Sequence, residues 1–78
     1  MQNSNRQGSH MYVLTLQSQQ QNVCTISGTF TPGAGFTRWD ILAQLRVDAA
    51  RQYPSMEGGA VLYFAMEENY LAETGVAP

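Results

Sequence analysis

The sequence contains no lysine, and its only histidine and only cysteine are His10 and Cys24. Catalytic sites place a nucleophile beside a group that titrates near neutral pH, or beside a metal, so these absences remove most familiar arrangements. A single cysteine closes no internal disulfide and provides one ligand where a zinc site needs four. Cys24 lies in a segment that alternates like a strand. This position favours a small buried hydrophobic residue over a nucleophile or an intermolecular thiol. We expect a non-enzymatic protein with no catalytic residue, metal site or cofactor, and no small-molecule substrate.

Charge and long apolar runs are also scarce. Charged residues make up 13% of the chain and hydrophobic residues 44%. No apolar run approaches the roughly 20 residues that a membrane-spanning helix needs, and the N-terminus lacks the apolar core of a secretory signal. We therefore expect a soluble, cytoplasmic protein without a membrane partner. Arginine without lysine, together with many alanines and glycines, is typical of a high-GC bacterial source.

The first eleven residues show no hydrophobic periodicity, and Gly8-Ser9-His10-Met11 resembles the remnant of an expression vector. We expect residues 1–10 to be a disordered tag remnant, residues 11–72 to form one domain, and residues 73–78 to be a frayed tail. Without residues 1–10, three arginines face six carboxylates, which gives a net charge of −3. Phosphate binding needs a clustered basic surface, so a nucleic-acid partner is disfavoured.

Residues Thr37 to Tyr53 form the one segment with a helical period sustained over several turns. Thr37 is the predicted N-cap, with Asp40 three residues later completing a capping box. Pro54 predicts the end of the helix. The residues predicted to face the core are Ile41, Leu42, Leu45, Ala49 and Tyr53.

Three segments are predicted strands: Tyr12–Gln17, Val23–Phe30 and Ala60–Glu67. The polar run Ser18–Asn22 predicts a hairpin connection, and residues 54–59 predict a loop. The order β-β-α-β predicts a small α+β domain, in which a three-stranded sheet of order 2-1-3 has the helix packed on one face.

The sheet face away from the helix is predicted to be uncharged. Its members are Val13, Thr15, Gln17, Val23, Thr25, Ser27, Thr29, Val61, Tyr63 and Ala65. Solvated faces usually carry lysine, glutamate or arginine, so this face or an adjoining strand edge is the leading candidate for a homodimer or protein-partner interface. The alternative is that a threonine-rich face is simply solvated.

A second candidate surface is the helix flank with Trp39, Ala43, Arg46 and Ala50, since tryptophan and arginine are enriched at binding hot spots. The alternative is that Trp39 covers the edge of the core while Arg46 extends its aliphatic stem along the surface.

Two classes of function follow. The first is a non-catalytic protein-interaction module, an adaptor or assembly subunit. The second is a regulatory accessory protein whose dimer gathers Arg38, Arg46 and Arg51 into a stripe that contacts nucleic acid, although the acidic total disfavours it.

Overall fold

The computed structural model describes residues 7–71, in which three strands and one helix follow the predicted order. Strand β1 spans His10–Gln17, β2 spans Val23–Phe30, helix α1 spans Arg38–Gln52 and β3 spans Ala60–Glu68. A short 3₁₀ helix, Pro54–Met56, lies between α1 and β3. The predicted α+β class and β-β-α-β order are confirmed. The tail predicted for residues 73–78 lies outside the described residues.

Strand β1 occupies the centre of the sheet and pairs antiparallel with both neighbours, so the spatial order is β2-β1-β3, as predicted. Leu14 lies opposite Ile26 on one side and Phe64 on the other. Directly opposite residues share a face of the sheet. The inward side chains of all three strands therefore lie together under the helix.

The core forms between the inward side chains of β1, which recur at every second residue, and the buried side of α1, whose residues recur about every 3.6 positions. Leu14 and Leu16 are 0% and 2% exposed, and they cluster with buried side chains of α1 and of the 3₁₀ helix. The buried hydrophobic residues are Leu14, Leu16, Ile41, Leu45, Ala49 and Met56. Met56 was not predicted, because the segment Pro54–Met56 was expected to be irregular loop. The 3₁₀ turn brings Met56 back against the core.

The helix begins and ends as predicted. The Asp40 backbone N–H donates to Thr37 Oγ1 at 3.2 Å, and the Thr37 N–H donates to Asp40 Oδ2 at 3.0 Å, which completes the capping box. Tyr53 is the C-cap, with φ −131°, and Pro54 follows. The prediction that Tyr53 faces the core is wrong. Its side chain is 45% exposed, because the backbone has left helical geometry at this residue.

The start of the sheet differs from the predicted boundary. Strand β1 begins at His10, and residues just before it are hydrogen-bonded to both neighbours: the Gly8 N–H donates to Thr29 Oγ1 at 3.0 Å, and the Asn69 N–H donates to the Ser9 carbonyl at 2.8 Å. The predicted disorder therefore does not hold for residues 7–10, while residues 1–6 lie outside the described part. The vector origin of residues 1–10 stays a prediction.

Strand β3 contains an irregularity that reverses two predicted side-chain directions. Thr15 lies opposite Tyr63 but Leu16 lies opposite Val61, so Leu62 is an extra residue, a β-bulge. Val61 therefore shares the helix side of the sheet with Leu16, and its predicted place on the other face is wrong. Leu62 lies between Val61 and Tyr63, which were both predicted on the face away from the helix, so strand alternation placed it on the helix side, but it is 52% exposed.

The β1–β2 connection is a tight three-residue loop closed by two backbone hydrogen bonds. The Gln21 N–H donates to the Ser18 carbonyl at 2.9 Å, and the Ser18 N–H donates to the Asn22 carbonyl at 2.8 Å. Gln21 has φ +68°, and this geometry is that of a type I turn followed by a G1 bulge. Ser18 is 4% exposed, and its hydroxyl accepts from the N–H groups of Gln20 and Asn22. The predicted hairpin connection is confirmed.

Replacing Gln21 with glycine is expected to stabilise the domain. A left-handed backbone is costly for a residue with a Cβ and carries no steric cost for glycine, although glycine gains freedom in the unfolded chain. We expect Gln21→Gly to raise the free energy of unfolding by about 0.5–1 kcal/mol in chemical denaturation. The matched control is Gln20→Gly, at a neighbouring position without a positive φ, which should give no gain. Equal stabilisation by both changes would contradict the prediction.

Candidate functional site

The sheet face opposite the helix, here called the outer face, brings together four of the predicted partner-binding residues. Thr15 lies at its centre, with Thr25 opposite on β2 and Tyr63 opposite on β3, and Val13 is the next outward residue along β1. Thr15 Oγ1 and Thr25 Oγ1 are 2.8 Å apart and share a hydrogen bond. The strand register places the following residues on the outer face: Met11, Val13, Thr15, Gln17, Val23, Thr25, Ser27, Thr29, Ala60, Tyr63, Ala65 and Glu67.

Apolar side chains on the outer face are open to solvent. Val23 is 58% exposed, Tyr63 57% and Met11 40%, and among residues 7–71 no helix or strand packs over them. A depression of about 160 Å³ lies between β1 and β3, lined by Met11, Val13, Tyr63, Ala65 and Glu67. The predicted absence of charge holds except at one end, where Glu67 lies opposite Met11.

The flank of α1 brings together the other four predicted residues. Trp39 is 76% exposed and does not belong to the core cluster, so it does not cover the core edge. A groove of about 370 Å³ runs beside the helix, lined by Ala43, Arg46, Val47, Ala50, Glu57 and Gly58. Trp39 lines a smaller depression of about 30 Å³ with Leu42, Ala43 and Arg46. The lining of the groove includes the small residues Ala43 and Ala50, one carboxylate and one guanidinium.

Arg46 is exposed, and its side chain also makes a hydrogen bond within the domain. Its Nη2 donates to the Gly59 carbonyl at 3.1 Å, which ties the middle of α1 to the residue just before β3. Arg46 therefore lines the groove with its guanidinium held by a hydrogen bond. The two expectations for Arg46, a binding residue or an extended surface residue, are therefore compatible.

The arginines of the helix point in different directions. Arg46 is 8 residues beyond Arg38 and 5 before Arg51, which at about 100° per residue separates neighbouring members by roughly 80° and 140°. Arg51 Nη1 lies 3.6 Å from Asp48 Oδ1. The three arginines therefore form no stripe along one face of α1.

Within residues 7–71, no three His, Cys, Asp or Glu side chains come together as a metal site. Cys24 is half-buried and packs against the core cluster, as a small hydrophobe does. No helix in the same part of the chain is both long and apolar enough to cross a membrane.

Comparison with protein-family models, with curated proteins and with solved structures finds no match for this chain.

Several residues of these surfaces were not predicted. Met11 and Glu67 extend the outer face at one end, and the period-2 pattern running back from Val13 could have identified Met11. Glu57 and Gly58 line the groove only because the 3₁₀ turn folds them toward α1, and no sequence pattern signals that contact.

The exposure of Trp39 gives a stability prediction. Because its indole is largely in water, Trp39→Ala should change the free energy of unfolding by no more than about 0.5 kcal/mol. Leu45→Ala on the buried side of the same helix should lower it by about 2–5 kcal/mol. Urea denaturation of both variants measures the difference. A loss at Trp39 as large as that at Leu45 would place the indole in the core.

Proposed function

We propose that this chain is a small, non-catalytic protein-interaction domain, an adaptor or assembly subunit, that binds a protein partner through its outer face. One observation carries the proposal: no helix or strand within residues 7–71 covers the outer face, and Glu67 at its end is the only charged residue among the described members of that face. The central parts of protein interfaces are depleted of charged residues and enriched in aromatic residues and methionine. Met11 and Tyr63 supply those residue types here.

The hydroxyl groups of the outer face support binding rather than oppose it. The hydroxyl groups of Thr15 and Thr25 are hydrogen-bonded to each other across the strands. A partner that covers them therefore leaves fewer unpaired polar groups than one that covers isolated hydroxyls. Around them, Val13, Val23 and Tyr63 provide apolar area whose burial is favourable. A partner can therefore cover the centre of this face at low desolvation cost.

The flank of α1 is a second surface for the same kind of function. A tryptophan exposed beside a groove is a typical anchor at an interface. Ala43 and Ala50, which line the groove, have small side chains that let a partner backbone come close. Trp39 is also the only tryptophan, so its fluorescence reports contact at this flank. A blue shift on addition of a partner would locate binding there, and an unchanged spectrum would locate it elsewhere.

The nucleic-acid alternative gains no support. The arginines diverge around the helix, and Arg46 and Arg51 already contact Gly59 and Asp48. The full chain carries a net charge of −2, whereas nucleic-acid binding draws on clustered positive charge.

Site-specific photo-crosslinking tests the outer face. A photoreactive amino acid at Thr15, in the full chain expressed in its native host, should give a discrete protein adduct, because Thr15 lies at the centre of the face. The matched control places the same group at Gln20 in the exposed hairpin turn, where no adduct is expected. Denaturing gels and mass spectrometry identify the adduct.

A charge variant makes the crosslinking experiment specific. Thr25→Lys puts an ammonium group beside Thr15, and an unpaired charge in an interface costs enough to weaken binding by about tenfold or more. The Thr15 adduct should then disappear while the far-ultraviolet circular dichroism stays unchanged. Adducts of equal intensity at Thr15 and Gln20, or an adduct insensitive to Thr25→Lys, would reject the outer face as the binding surface.

A further inference from the structure

The edge of the sheet formed by β2 carries backbone groups that no other strand within residues 7–71 pairs with. The hairpin shows which residues direct those groups outward. The Ser18 N–H donates to the Asn22 carbonyl, so these two form a hydrogen-bonded pair, and in an antiparallel ladder such pairs recur at every second residue. Cys24, Ile26, Gly28 and Phe30 therefore bond to β1.

The remaining residues of β2 direct their N–H and C=O groups to the open edge. These residues are Val23, Thr25, Ser27 and Thr29. The other side of the sheet gives the same result independently. The Asn69 N–H donates to the Ser9 carbonyl, so the odd-numbered residues of β1 bond to β3 and its even-numbered residues are left for β2.

The two edges of the sheet differ in protection. Strand β3 carries the bulge at Leu62 and ends in Glu67 and Glu68, and bulges and charges are the usual devices that prevent strand addition. Strand β2 has no proline, no charged residue and an unbroken register against β1. The edge of β2 can therefore accept another strand, whereas the edge of β3 is obstructed.

We propose that the β2 edge binds the β2 edge of a second copy of this chain, antiparallel and about a two-fold axis at Ile26. In this register Val23 pairs with the partner's Thr29 and Thr25 with the partner's Ser27, so every outward backbone group of β2 gains a partner. The result is a six-stranded sheet of order β3-β1-β2-β2-β1-β3 with both helices on one face.

The identical strand fits this edge for electrostatic and packing reasons. Strand β2 is uncharged, so two copies bring no like charges together, although the whole chain carries a net charge of −2. The two Ile26 residues become a non-hydrogen-bonded pair, in which side chains approach most closely. Ile26 and its inward neighbours Cys24 and Phe30 are only partly buried in one protomer, and the partner's inward side chains would cover them further.

This inference rests on the proposed function, since it names one partner of the interaction domain, but it uses the strand edge rather than the outer face. In the dimer the two outer faces join into one continuous surface. A partner bound there would contact both copies.

Sedimentation equilibrium of the full chain, from low micromolar to millimolar concentration, tests the pairing. Wild type should show a monomer–dimer equilibrium. Ser27→Pro removes an outward N–H without removing a β1–β2 hydrogen bond, and it should raise the dimer dissociation constant by at least about tenfold. The matched control is Glu68→Pro, which removes an outward N–H from the edge of β3 and should leave the dissociation constant unchanged.

Hydrogen exchange of the wild-type chain gives a second measurement that needs no variant to fold. The amides of Val23, Thr25, Ser27 and Thr29 should exchange at least about tenfold more slowly at millimolar than at micromolar concentration. The amides of Cys24, Ile26 and Gly28 bond within the protomer, so their protection should change less.

Three outcomes would overturn the proposal: a strictly monomeric wild type at millimolar concentration, a folded Ser27→Pro variant that dimerises like wild type, or a dimer whose outward β2 amides stay unprotected. The photo-crosslinking result at Thr15 is independent of all three. Loss of the dimer with a retained Thr15 adduct rejects only the edge pairing, and a retained dimer without that adduct rejects only the outer-face function.

Discussion

The pairing of β1 with both neighbours is the interaction on which the rest of the structure depends. Its backbone groups bond alternately to β2 and β3, and its side chains alternate between the core and the outer face. Leu14 and Leu16 are the largest fully buried side chains among residues 7–71, and the helix packs over them. Shifting β1 by one residue would exchange the two faces and expose both leucines. This strand therefore sets the core, the open face and the open edge together.

In the part of the chain that the structure describes, the sheet is covered on one side only. One helix of fifteen residues buries Ile41, Leu45 and Ala49 and leaves the β2 side chains Cys24, Ile26 and Phe30 half-covered. Small domains bury a smaller fraction of their surface than large ones, and association is one way of making up the difference. The outer face, charged only at Glu67, and the β2 edge are the two parts of the sheet that no other element within residues 7–71 covers or pairs with. For this reason we propose the sheet, rather than a pocket, as the surface for the proposed interaction.

Much of the fold was predictable because the signals are local. The capping box at Thr37 and Asp40, the proline after Tyr53, and the alternation in β1 and β2 each depend on residues a few positions apart. The order 2-1-3 followed from the sequence of elements. The eight predicted partner-binding residues also fall on two surfaces as expected, because each set was defined by strand or helix periodicity. Whether those surfaces bind a partner stays a prediction.

The sequence-based predictions failed where one extra residue changes the strand register, and where a turn brings the chain back against the core. The bulge at Leu62 moved Val61 to the helix side, and a hydrophobic run that reads AVLYFAM carries no sign of which residue is the extra one. Met56 enters the core and Glu57 joins the groove through a 3₁₀ turn that a proline-containing stretch does not specify by itself. Tyr53 matches the helical period, but its backbone has already left the helix.

By itself, the sequence determined the elements, their order and the faces of β1 and α1, because hydrophobic periodicity and capping act over a few residues. Only the tertiary structure decided which strand edge has no partner strand within residues 7–71, where Trp39 lies and which residues line the groove. Those features depend on long-range register and on how the chain turns between elements. Hydrogen bonds such as Asn69 to Ser9 and Arg46 to Gly59 join residues far apart in the chain, and no local pattern encodes them.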